Sequence, residues 1–389
     1  MGQWLSSAGV RLYDESSGQF REVEIRPRMT MYVCGITPYD SSHLGHAFTY
    51  VQFDVLVRYL RHLGADVVHV QNVTDVDDDI LRTAAERHVD YLELAEKETA
   101  KFEREMRALN VTPPTHSPRA TAFVPQMIEK VEALLAAGHG YERDGTVYFA
   151  VKSDPAYGQL SRLPREEMVK LAAERGGRPD DPAKDDPLDF VLWQRSEPGE
   201  PWWDSPWGRG RPGWHIECST MARRLLGQPV DIHGGGTDLI FPHHESEIAQ
   251  AESLGGELPF VRHWVHTGQV SMGPDKMSKS LGNLIFVGDL LEQHDPMVIR
   301  RFLLRRHYRD DWDFQADGVG SEGGRGFAGS RASAEEWDDA GERAAFFAAL
   351  DDDLNTPTAL QILDRAAASS ELAARRFLDE AETLLGLRS

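Results

Sequence analysis

Between residues 29 and 70 the hydrophobic pattern changes period twice, and this limits the fold more than any other feature of the chain. Residues 29–34 (Met-Thr-Met-Tyr-Val-Cys) are an apolar run of strand length. Residues 35–40 contain Gly35 and Pro38 and read as a turn. Over residues 46–63 apolar side chains recur at helical spacing (Phe48, Val51, Phe53, Val55, Leu56, Tyr59, Leu60), and Gly64 stands where a helix C-cap belongs. Residues 67–70 return to an apolar run of strand length. Strand, helix, strand is a βαβ unit, so the expected fold is α/β with a doubly wound parallel sheet.

Beyond this unit, residues 87–110 and 124–137 read as helices and 146–152 as a strand. Residues 154–213 are rich in Pro, Gly and charge, and read as a loop-rich insertion outside the parallel sheet. Strand patterns resume at 230–233 and 260–270. Residues 318–330 (Gly-Val-Gly-Ser-Glu-Gly-Gly-Arg-Gly-Phe-Ala-Gly-Ser) read as a flexible linker, and 333–386 as a small helical bundle rich in Ala, Leu, Glu and Arg. At 389 residues the chain is long enough for two or three domains. Its net charge of −21 argues against a large polyanionic partner unless a local basic patch overrides it. No apolar run is long enough to span a bilayer, no basic segment followed by an apolar one opens the chain, and the two cysteines are not a disulfide framework, so a cytoplasmic location without membrane partners is expected.

Two separated motifs bear on nucleotide chemistry. His43-Leu44-Gly45-His46 falls at the start of the first predicted helix, where free N–H groups and partial positive charge suit phosphates. Two imidazoles there can stabilise charge at an α-phosphorus, and Gly45 lets an adenine ring approach the backbone. Far downstream, Lys276-Met277-Ser278-Lys279-Ser280 places two lysines around small polar residues, a segment able to neutralise a leaving pyrophosphate. Alone, it also fits a solvated basic turn. Together and in this order, the motifs resemble the class I aminoacyl-tRNA synthetase superfamily. That resemblance implies a Rossmann-type catalytic domain split by an inserted connective domain. The corresponding division is 1–110 and 213–285 for the two catalytic halves, 111–212 for the insertion, 286–325 for a stem-contact-like helical region and linker, and 326–389 for the bundle.

Cys34, Cys218, His243 and Glu247 are ligand types that zinc accepts, although two buried core thiols and a hydrogen-bonded histidine pair would give the same residues. The surrounding segments decide between these readings. Residues 32–35 (Tyr-Val-Cys-Gly), the HLGH box, 70–78 (Val-Gln-Asn-Val-Thr-Asp-Val-Asp-Asp), 213–218 (Gly-Trp-His-Ile-Glu-Cys), 233–238 (His-Gly-Gly-Gly-Thr-Asp), 241–245 (Phe-Pro-His-His-Glu) and KMSKS together resemble the family of cysteinyl-tRNA synthetases and mycothiol cysteine ligases. The resemblance implies one zinc ion held by Cys34, Cys218 and His243 with Glu247 as a fourth ligand, and ATP taken with Mg2+. It implies His43, His46, Lys276 and Lys279 as catalytic groups. Gly45, Thr49, Gly236, Thr237, Asp238, Val270 and Ser278 would lie around the adenylate. Cys34, Gly35, Ile36, Thr37, Asn72, Val73, Thr74 and Trp214 would lie around L-cysteine. Packing alone remains the other reading of Trp214 and Thr49. A metal that prefers sulfur would separate cysteine from serine, which shape alone does poorly.

The acceptor of the activated cysteine divides this family. Ile36 and Pro38, the Glu174-Arg175-Gly176-Gly177-Arg178-Pro179 segment and Leu284-Ile285 resemble the ligases that act on the amine of glucosaminyl-inositol. The chain also stops near the end of the bundle without a basic module, which fits a small acceptor. Glu247 and His233 resemble the enzymes that charge tRNA specific for cysteine. The expectation is the small-amine ligase, with tRNA charging as the alternative and supply of activated cysteine to another pathway as a third.

Overall fold

The computed structural model describes residues 9–273, 275–276, 284–324, 337–369 and 371–388. Its centre is a four-stranded parallel sheet ordered Val261–Thr267, Val230–Gly236, Arg28–Ile36, Asp66–Val73. The Arg28–Ile36 strand is first in the chain and sits inside the sheet, with its two successors on opposite sides. This is the switch point at which open α/β sheets bind ligands, beyond the carboxyl ends of the strands. All four strands are buried over most of their length, as near-continuous apolar runs require in a parallel sheet covered on both faces.

The helix that follows the first strand spans Leu44–His62 and buries thirteen of its side chains, so it packs on more than one face. Gly64, just beyond its C-cap Leu63, has φ of 96°. Between the second and third central strands the chain builds a separate antiparallel sheet, ordered Gly140–Arg143, Thr146–Phe149, Phe190–Arg195, Gly210–Pro212. After the parallel sheet, helices Val287–Gln293 and Pro296–Leu304 lead to a three-helix bundle of Asp339–Asp351, Thr356–Ala368 and Leu372–Leu384. Arg300 fastens the bundle to the catalytic half. Its buried guanidinium donates to Asp54 of the first helix (2.5 Å) and to the carbonyls of Leu385 (2.8 Å) and Leu109 (2.9 Å). Among the described residues no helix is long and apolar enough to cross a membrane.

Three expectations need correction. Residues 87–110 are not one helix: Asp78–Arg87 ends at His88, which takes the left-handed conformation (φ 54°), and Tyr91–Ala108 begins after the N-cap Asp90. The 154–213 stretch contains a helix (Arg165–Glu174) and two strands that extend the Thr146–Phe149 sheet, so its Pro and Gly residues punctuate short elements. Residues 318–323 of the expected linker form a short helix (Gly318–Gly323) packed on Pro296–Leu304, and 325–330 lie outside the described residues.

Candidate active site and metal centre

Cys34 lies near the carboxyl end of the first central strand. Cys218 is carried by the helix Trp214–Leu226, and His243 lies in the helical turn Ile240–His244. Glu247 lies one turn further on, on the helix Glu245–Glu252, so the i,i+4 spacing puts it on the same face as His243. The donor atoms of Cys34, Cys218, His243 and Glu247 all fall within 4.8 Å of one another and all four residues are buried. A second group, Cys34, His233, His244 and Glu247, meets the same limit and shares two members with the first.

The first group fits a metal ion better. His243 Nε2 lies 3.2 Å from Glu247 Oε1, yet neither His243 Nε2 nor Glu247 Oε2 makes a hydrogen bond, and both are buried. Buried polar atoms without partners are costly, and donors converging on one point are what a cation would satisfy. The Nε2 atoms of His233 and His244, by contrast, face the Cys34 Sγ at 3.6 and 3.3 Å. Outside the group, His215 Nδ1 meets His243 Nδ1 at 3.0 Å and leaves Nε2 of His243 to face the donors. Likewise His244 Nδ1 meets His266 Nε2 at 2.7 Å. Two thiols, an imidazole and a carboxylate form a donor set suited to a tetrahedral, sulfur-preferring divalent ion.

The donors of the cluster act strongly on one another's charge. Burial and then the neighbouring Cys218 push the Cys34 thiol up. Burial also opposes ionisation of Cys218, but hydrogen bonding from Cys34 and the charge of His243 outweigh it and hold that thiol well below its usual range. Burial would lower His243, yet Cys218 and Glu247 raise it to about 10. Glu247 is raised to about 7 by burial and by the charge on Cys218.

Above the cluster opens a cavity of about 1010 Å³ at the sheet switch point. Cys34, Gly35, Thr37, His43, Gly45, His46, Thr49, Trp214, Gly236, Asp238 and Val270 all line it. His43 is the N-cap of the Leu44–His62 helix, and its ring stacks on that of His46 with centroids 3.8 Å apart. Thr49 Oγ1 meets Thr267 Oγ1 at 2.7 Å. Trp214 packs its ring 4.4 Å from that of His243, which links the cavity wall to the metal-type cluster.

Other expected residues stand behind the wall. Asn72 Oδ1 accepts from the Gly35 N–H (2.8 Å), Asn72 Nδ2 donates to Thr74 Oγ1 (3.2 Å), and Thr74 Oγ1 donates to Glu217 Oε2 (2.9 Å). Ile36 and Val73 are buried strand residues that do not line the cavity, nor does Thr237, in the short turn Thr237–Leu239. Lys276 lies on the two-residue strand Asp275–Lys276, which pairs with Val270–Met272, while Ser278 and Lys279 lie outside the described residues.

Several residues at the site had no catalytic, ligand-binding or metal role in the sequence reading, although His233 and Arg175 belonged to segments that marked the acceptor branch. His215, His233, His244 and His266 surround the donor cluster, and only the doubled histidine of 243–244 hinted at so many rings. Glu217 lines the cavity, its carboxyl pushed up by burial and by the Cys218 charge. Arg175 reaches from the insertion to the backbone carbonyls of Asp238 and Phe241, and so ties the second sheet to the cavity rim.

The parallel sheet, its switch-point cavity and the histidine pair at the first helix define a catalytic domain of the synthetase type. The fold matches methionyl-tRNA synthetase from Mycobacterium tuberculosis in complex with methionyl-adenylate, with a TM-score of 0.64 at 18% identity over 92% of this chain and 89% of that one. The chain belongs to the family of class I (C) tRNA synthetase catalytic domains, whose model matches residues 20–321. It is 43% identical to a cysteine–tRNA ligase of Geobacter sulfurreducens, over 97% of this chain and 85% of that protein. It is 44% identical to an L-cysteine:1D-myo-inositol 2-amino-2-deoxy-alpha-D-glucopyranoside ligase of Thermobispora bispora, over 98% of this chain and 96% of that protein.

Proposed function

We propose that this protein activates L-cysteine with ATP to give cysteinyl-adenylate, then transfers the cysteinyl group to the amine of glucosaminyl-inositol. The observation that carries the first step is the juxtaposition of the Cys34–Cys218–His243–Glu247 donor group with the cavity that His43, His46 and Trp214 line. These four residues would hold zinc, which supplies a soft Lewis acid able to bind a substrate thiolate and pass over the hydroxyl of serine. Trp214, Thr37 and the Asn72–Thr74 pair shape the amino-acid side of the pocket.

In the first step the cysteine carboxylate attacks the α-phosphorus of ATP, and the bond to the β-phosphate breaks with loss of pyrophosphate. His43 and His46, at the positive end of the Leu44–His62 helix, stabilise charge on the α-phosphate oxygens. Lys276 and Lys279 neutralise the departing pyrophosphate, with Mg2+ carried in by ATP. Thr49, Gly236, Asp238 and Val270 hold the adenylate. In the second step the acceptor nitrogen attacks the cysteinyl carbonyl carbon, the carbonyl–phosphate bond breaks, AMP leaves, and the amine gives up a proton.

The amine acceptor is favoured by the cavity wall, where carboxylates (Asp40, Asp77, Asp78, Asp79, Glu174, Asp181, Asp189 and Asp238) outnumber the cations of Arg175, Arg178, Lys184 and Arg211. Such a wall attracts the positive charge of an amino sugar, which gives up its proton before the nitrogen attacks, in keeping with the net charge of −21. Transfer to tRNA is the second reading, supported by the equally similar Geobacter relative. Purified protein with labelled cysteine and ATP, given glucosaminyl-inositol or cysteine-specific tRNA, tests the choice. Product on the sugar amine alone supports the proposal, and charging of tRNA alone refutes it.

A further inference from the structure

Lys130 belongs to no nucleotide motif and lines no part of the cavity, yet it is buried on the apolar face of the helix Val124–Ala136. Met127, Val131 and Leu134 of its own helix are buried in one apolar core with Ile216 and Met221 of the helix that carries Cys218. A lysine so placed costs several kcal/mol unless a compensating group is near. Its Nζ donates to Ser219 Oγ (2.8 Å), and the Ser219 hydroxyl also bonds the side-chain carbonyl of Gln250. Ser219 follows Cys218 in the chain, and Gln250 lies three residues after Glu247 on the helix Glu245–Glu252. Thus one ammonium joins the helices that carry Cys218 and Glu247.

The charges at the cluster explain why a cation is useful there. Two thiolates and a carboxylate bring three negative charges, and a divalent metal ion neutralises two. The third is left in a buried region, where charge is expensive. Lys130 acts electrostatically on Glu247, and Glu247 on Lys130. Burial pulls the Lys130 ammonium down to about 7, and the Glu247 carboxylate works in the opposite direction.

We propose that Lys130 is a positioning residue of the metal centre, which holds the Cys218 and Glu247 helices in register through Ser219 and Gln250 and neutralises the residual negative charge of the loaded donor set. This rests on the metal reading given under the proposed function. The test uses the full chain and zinc alone, with affinity measured by competition against a chromophoric chelator and stability of the metal-free protein measured by urea denaturation. Lys130→Gln keeps a donor for Ser219 and removes the charge, Lys130→Met removes both, and Lys130→Arg keeps the charge. Loss of a group that supports ligands from outside costs about 10- to 100-fold in metal affinity. The Gln and Met variants are expected to lose affinity by that factor, and the Arg variant to stay within about threefold of wild type on the same scale. Metal-free stability should be unchanged or higher in the Met variant, because an apolar side chain relieves a buried charge. A packing role alone predicts the reverse: normal zinc affinity with Gln and Met, and impairment with the larger Arg. That result would overturn the proposal. Failure of the wild-type protein to take up one zinc per chain would overturn the metal reading itself, before any variant is measured.

Discussion

Gly35→Ala should damage the protein more than any other single-methyl insertion at the site. Gly35 follows Cys34 where the first strand shifts register against Asp66–Val73, between Val33 and Ile36. A Cβ at this position would sit within the shell of the Asn72 carbonyl oxygen, 2.6 Å from the carbonyl carbon and 3.1 Å from the Asn72 nitrogen. Backbone, not a side-chain tip, is what it meets, so no rotamer change gives relief. The oxygen contact is the limiting one, and relieving it requires the two strands to part by about 1.5 Å. Separation on that scale breaks the Gly35 N–H bond to Asn72 Oδ1 (2.8 Å) and the Thr74 N–H bond to the Ile36 carbonyl (3.0 Å). Two buried hydrogen bonds at about 1 kcal/mol each, plus about 1–3 kcal/mol of overpacking, give a loss of about 3–5 kcal/mol. Because Cys34 is the adjacent residue, zinc content should fall as well. Urea denaturation and metal analysis of the purified variant check both. A variant within about 1 kcal/mol of wild type and fully loaded with metal would refute the reasoning.

Arg300→Met should cost about 3 kcal/mol, since Asp54 then keeps only Arg58 as a cationic partner while the carbonyls of Leu385 and Leu109 lose their donor. Denaturation of the full chain reads this, and a loss under about 1 kcal/mol would show that Arg300 does not fasten the bundle. His69 is pushed from 6.5 down to about 4 by burial, so the unfolded chain binds its proton more readily than the folded one. Its contribution to stability is complete above pH 6.5 and is lost as pH falls toward 4, by about 3 kcal/mol. His69→Phe should flatten the stability curve across that window, and an unchanged curve would contradict the assignment. Lys279→Ala should depress cysteine-dependent ATP–pyrophosphate exchange by about 100-fold, whereas unchanged exchange would remove Lys279 from the mechanism.

The parallel sheet was legible because its first two strands carry short apolar runs on either side of a helix marked by Gly64. The second sheet was not, since Phe190–Arg195 and Gly210–Pro212 are short strands separated by Pro- and Gly-rich turns, and the pairing of Phe190–Arg195 with Thr146–Phe149 is non-local. The break at His88 escaped notice because it depends on a left-handed residue that is not glycine, followed by Asp90 as a cap. At the site, the four donors were recognisable as residue types, but their convergence depends on three helical segments meeting the end of one strand. The ring of His266 and the ammonium of Lys130 carried no local signal, and those of His215 and His233 none that placed them beside the donors, because each acts through a contact distant in sequence.

The central claim is that cysteine is selected through the Cys34–Cys218–His243–Glu247 group and activated in the cavity above it. ATP–pyrophosphate exchange with cysteine and with serine, in wild-type protein and in Cys218→Ser, tests it most directly. The account predicts exchange with cysteine, little with serine, and loss of both exchange and bound metal in the variant. Equal exchange with serine, or full exchange in a Cys218→Ser protein that has lost its metal, would contradict it.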